Sequence, residues 1–122
     1  ILNVFLKAGD EQGLVPKSWD GARAAPFVAN FVLIAVAAAI VEELTFRGLG
    51  FATVGAFFGP VAGVLGTGLA FGLAHGLVVA LPILTLFGVA LAVVRWRTGS
   101  VYPGMLVHAL FNGIALIAAV AT

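Results

Sequence analysis

The chain has 122 residues, one domain's worth, of which 62% are apolar and 9% charged, against about 45–50% and about 25% in ordinary soluble domains. Eleven charged side chains cannot coat a molecule of this size, so a soluble monomer is excluded, and so is disorder, which needs low hydrophobicity. A net charge of +1 leaves no footprint for nucleic acid, and the absence of cysteine removes disulfides, thiolate metal sites and cysteine nucleophiles together.

Lys7, Asp10, Glu11, Lys17, Asp20 and Arg23 hold six of the eleven charges. Residues 1–23 therefore read as a polar loop or interfacial segment, and 24–122 as a membrane core. The chain opens on Ile1 rather than methionine, as an excerpt or a processed form of a longer chain would. The remaining charges, Glu42, Glu43, Arg47, Arg95 and Arg97, delimit three charge-free stretches at 24–41, 48–94 and 98–122. A bilayer crossing takes about 20 helical residues, so the first and third stretches hold one each and the second must hold two.

Pro60 and Pro82 suit the first turns of new helices. The fold expected is all-α, a multi-pass transmembrane bundle of about four helices near 25–48, 61–81, 82–96 and 103–121. Residues 51–59 are expected to form a short connecting or re-entrant piece. Gly59, Gly63 and the run Gly66-Thr67-Gly68 offer a face for close helix contact, although an Ala/Gly-rich composition produces such a run by itself. Trp96, between Arg95 and Arg97, and Tyr102 after them form with the two arginines an interfacial anchor. Three basic residues fall on each side of four alternating spans, so charge asymmetry does not choose an orientation.

Carboxylates at the end of an apolar helix need a reason, because each costs at least about 2.5–3.5 kcal/mol near the bilayer centre. In Glu42-Glu43-Leu-Thr-Phe-Arg47, Glu43 and Arg47 stand four apart and pair on one helical face, leaving Glu42 without that partner. One paired and one free carboxylate suit acid/base chemistry, whereas a helix end snorkelling to the interface is the plain structural alternative. His75 lies in the second helix, in Phe71-Gly-Leu-Ala-His75. His108 and Asn112 share a face of the last helix. Alone, His75 is more often a packing residue than a catalyst, and the His108–Asn112 pair is as readily structural. Together they put ionisable or amide groups on three helices, and polar groups in lipid face the bundle interior and find one another. Carboxylate and neutral imidazole can activate a water, and an amide with a second imidazole can stabilise an oxyanion. With spans centred on the bilayer, however, the glutamates and His75 fall on opposite sides of the midplane. They meet only if helices tilt or if the second span starts later than Pro60; the latter is expected, with 51–62 packed at the interface.

These three runs resemble the motifs of the CPBP family of intramembrane endopeptidases, which includes the CAAX prenyl proteases and the Abi bacteriocin-processing or immunity proteins. That family carries Glu-Glu-x-x-x-Arg, Phe-x-x-x-His and His-x-x-x-Asn on successive helices, matched here by Glu42 to Arg47, Phe71 to His75 and His108 to Asn112. The stretch Arg97-Thr-Gly-Ser-Val-Tyr-Pro is similar to the family's approach to its last catalytic helix. The resemblance spans about residues 26–120, and relatives usually carry further membrane helices before this core.

What the resemblance implies is hydrolysis of a peptide bond in a membrane-tethered substrate by an integral protein of the prokaryotic plasma membrane. In the prenyl-protein branch, the three residues after a lipidated cysteine are removed. Glu42 would be the water-activating base assisted by His75, and Glu43 and Arg47 a supporting ion pair. His108 and Asn112 would make the oxyanion hole, with Phe71 packed beside His75. No cofactor is the preferred expectation, since no His-x-x-x-His pair is present. The alternative is one divalent metal such as zinc on Glu42, His75 and His108. Two other functions remain at this point: a non-catalytic immunity or scaffolding protein that keeps the pocket, and a proton-coupled transporter with a Glu/His relay. An amide cannot titrate, so Asn112 favours the peptidase over the relay.

Overall fold

A computed structural model describes residues 21–121, leaving nearly all of the 1–23 polar segment outside the described residues. Four helices make up the described chain, with no strand among them. The first, α1, runs unbroken from Gly21 to Phe58 over 38 residues, and α2 spans Pro60–Ala74, α3 Leu81–Thr98 and α4 Tyr102–Ala121. Three of them, α1, α3 and α4, are long and apolar enough to cross a membrane, whereas α2 has 15 residues. All-α membrane architecture is as expected, but two boundaries differ.

The piece at 51–59 is neither re-entrant nor a connector. Residues Phe51–Phe58 continue α1, because nothing before Gly59 breaks the helix. Gly59 makes the turn alone at φ 87°, ψ 163°, a conformation open to glycine, and Pro60 occupies the first turn of α2. The second helix thus begins at Pro60, not later. In turn α2 stops short of residue 81. Gly76 adopts φ 66°, its N–H bonding the Leu73 carbonyl at 3.0 Å in a left-handed helix cap. His75 is therefore the C-cap just past the end of α2 and not part of its interior.

This hairpin explains how groups expected on opposite sides of the midplane meet. Glu43 lies sixteen residues before Gly59 and His75 sixteen after it, so antiparallel arms of equal length bring both to one level. At about 1.5 Å per residue α1 is roughly 57 Å long, well beyond an about 30 Å hydrocarbon core. Its two halves serve different neighbours. The first half packs against α4, where a Cβ on Gly113 would lie 3.0 Å from the Phe31 ring. The second half packs against α2, where a Cβ on Gly63 would meet the Phe51 ring at 3.1 Å.

Small residues line the inner contacts, as in lipid, where close backbone approach replaces hydrophobic drive. A Cβ on Gly68 would stand 2.8 Å from the Val89 nitrogen, and one on Gly88 would stand 2.8 Å from the Gly68 carbonyl oxygen. Gly63 and Gly68 thus belong to the expected contact face. Gly59 serves the turn instead, while Gly72 and Gly88 extend the face beyond the residues singled out in the sequence. Large apolar side chains such as Leu49, Phe57, Phe58 and Val78 point outward. The interior is left to alanine, glycine and a few large groups. Among the largest fully buried side chains are Arg47, Phe71, Leu91 and Glu43; two of the four are ionic.

Candidate active site

Glu42 and Glu43 sit in the α-helical turn Ala39–Glu43, between two widened π-helical segments, Val32–Ala38 and Leu44–Gly50. Such segments are rare and concentrate at functional sites. The turn sits where the two halves of α1 meet α4 on one side and α2 and α3 on the other.

A buried layer supports the site. Arg47 Nη1 donates to Glu43 Oε1 at 2.9 Å, with both side chains fully buried, and Arg47 Nη2 donates to the Gly88 carbonyl of α3 at 2.8 Å. The guanidinium also lies 4.5 Å from the centroid of the Phe71 ring. Glu43 Oε1 accepts a second bond, from His108 Nδ1 at 3.1 Å. The expected Glu43–Arg47 pair is therefore one link in a chain, Arg47–Glu43–His108, that crosses from α1 to α4.

Above it lies a reachable layer. Glu42 and His75 are 29% and 22% exposed, against 3% for His108. Glu42 Oε2 stands 4.0 Å from His75 Nε2 and 3.6 Å from His108 Nε2. His75 Nδ1 lies 2.8 Å from the Phe71 carbonyl, which can only accept, so Nδ1 carries the hydrogen and a neutral ring keeps its lone pair at Nε2. Glu42 Oε2 is itself buried without a hydrogen-bond partner. A carboxylate oxygen and two imidazole nitrogens, from α1, α2 and α4, thus converge on one point with a hydrogen donor missing.

Phe71 packs against both imidazoles, 4.7 Å from the His75 ring and 5.5 Å edge-on from that of His108. Asn112 Nδ2 donates one hydrogen to the Ile34 carbonyl, inside the first π segment, at 3.2 Å. Two imidazoles and a carboxylate are donors that suit a divalent cation. Among the described residues, however, no group of three or more His, Asp or Glu is arranged to hold one.

Two contributors went unnoticed in the sequence. A Cβ on Gly104 would lie 2.6 Å from Glu43 Oε2, so only a residue without a side chain lets that carboxylate reach α4. Gly104 precedes His108 by one turn on the same face, a spacing that was readable. Gly104→Ala is expected to displace Glu43 and uncouple it from His108, measured by nitrogen-15 shifts of the His108 ring beside a thermal melt. Arg95, assigned above to an anchor, donates from Nε to the Arg47 carbonyl at 3.2 Å. Trp96, Arg97 and Tyr102 are exposed, as an anchor requires.

A family model described as type II CAAX prenyl endopeptidase, Rce1-like, matches residues 24–114, a stretch that contains all three motifs. Comparison with curated proteins and with solved structures gave no match.

Proposed function

The chain belongs to the Rce1-like family of type II CAAX prenyl endopeptidases, and on that footing we propose that it cleaves a membrane-tethered peptide with water activated by Glu42. The observation that carries this reading is the convergence of Glu42 Oε2, buried without a hydrogen-bond partner, with the Nε2 atoms of His75 and His108. One water about 2.8 Å from both Glu42 Oε2 and His75 Nε2 spans the 4.0 Å between them. It gives a hydrogen to each, and its own lone pair faces outward.

In the proposed cycle, Glu42 takes the water's proton as the oxygen attacks the scissile carbonyl, then returns it to the departing amine. Glu43 holds His108 by Nδ1–H, which aims Nε2 at the same point. In its imidazolium form His108 donates there to the developing oxyanion, and the second hydrogen of Asn112 Nδ2 is the other proposed donor. The proposed route needs no metal.

The test uses purified protein in detergent or liposomes with membrane-anchored peptides, prenylated and unprenylated, and cleavage read by mass spectrometry. Samples are dialysed against chelator and checked by elemental analysis. Cleavage that survives metal removal is the expected result. Loss of cleavage restored by zinc overturns the metal-free route, and peptide binding without cleavage overturns the peptidase reading. The prenylated and unprenylated arms define the substrate class.

A further inference from the structure

Arg95 does more than hold the end of α3 at the interface. Its Nε donates to the Arg47 carbonyl, and Arg47 lies in the π segment Leu44–Gly50 immediately after the glutamates. The same residue is held at its other end by α3: Arg47 Nη2 donates to the Gly88 carbonyl. Gly88 and Arg95 are seven residues apart, two turns along one face of α3. One helix therefore holds Arg47 by backbone and by side chain at once. The Arg95 guanidinium is also 5.8 Å from the centroid of the Phe51 ring, on the far side of that π segment. From Arg47 the contacts run on through Glu43 Oε1 to His108 Nδ1.

We infer that Arg95 is a positioning residue for the reaction: by holding the Arg47 backbone it fixes the register of the widened turn, and through Arg47 and Glu43 the direction of His108 Nε2. The inference rests on the peptidase reading for its kinetic consequence but not for its structural one. A cation alone is insufficient for this task. The planar guanidinium offers Nε–H at a set angle while its outer face stays with Phe51, whereas a lysine offers a single flexible donor. Side-chain donors from other helices reach a carbonyl inside each π segment, Asn112 to Ile34 and Arg95 to Arg47. A turn with longer hydrogen-bonded rings is thereby braced from outside its own helix.

The experiment compares Arg95→Ala, Arg95→Lys and, as a control two residues on, the exposed Arg97→Ala in the full chain. Expected are a kcat about tenfold lower for Arg95→Ala with KM within twofold, partial recovery in Arg95→Lys, and Arg97→Ala within twofold of the parent. In parallel, nitrogen-15 spectra of the two histidine rings, told apart by His75→Gln, should show the His108 nitrogens moved by Arg95→Ala and unmoved by Arg97→Ala. An Arg95→Ala variant with parent kcat and unchanged His108 signals overturns the inference. So does an equal loss in Arg97→Ala, or a change confined to KM. If the parent cleaves no peptide, the functional reading fails, and the spectra still decide whether Arg95 positions His108.

Discussion

Glu42→Gln is expected to lower kcat by about 10²–10⁴ and to leave the protein folded, the range a general base contributes. Glutamine keeps the size and a hydrogen-bonding oxygen but cannot take the water's proton. The Glu42 side chain is 29% exposed and outside the Arg47–Glu43–His108 chain, so its removal does not strand a buried charge. KM should change little, because the interaction develops in the transition state. Steady-state kinetics on a membrane-anchored peptide, with a melting curve in the same detergent, checks both halves. A Glu42→Gln variant retaining a tenth or more of parent turnover would remove Glu42 from the role of base.

Breaking the ion pair should instead cost stability. Arg47→Ala strands the Glu43 carboxylate, and Glu43→Ala strands the guanidinium; both groups have no exposure. Removing one partner of a buried pair costs about 3–5 kcal/mol, because the survivor stays desolvated without its opposite charge. Replacing both in Glu43→Leu/Arg47→Met removes the stranded charge and should recover most of that loss, except what the Gly88 carbonyl forfeits with its donor. Activity should not return, since His108 Nδ1 has lost its acceptor. Denaturation of the two single variants and the double variant measures the first claim, and cleavage assays the second. A double variant that is stable and active would show that the chain orients nothing.

Spacing within one helix was readable because it follows from helical geometry alone. Glu43 and Arg47 pair at 2.9 Å as their four-residue separation predicted. Boundaries were less readable, for definable reasons. A charge-free run of 47 residues contains no polar marker of a turn, and proline is tolerated inside a first helical turn as well as after a break. Gly59 and Gly76, both at positive φ, carried the missing punctuation. In a chain with 16 glycines, nothing local separates a glycine that turns the backbone from one that permits close packing. His75 was consequently placed inside a helix that in fact ends just before it.

Sequence by itself determined the all-α membrane class, three helical motifs, and the division of two adjacent carboxylates into one paired and one free. These depend on composition and on a period of 3.6 residues, which any stretch of helix shares. Tertiary structure alone decided that Glu43 joins Arg47 to His108, that Gly104 makes room for it, and that Arg95 of α3 reaches the Arg47 backbone. It also decided that Asn112 bonds α1. Such contacts depend on where helices cross, and that was set here by a single-residue hairpin at Gly59 with arms of matched length.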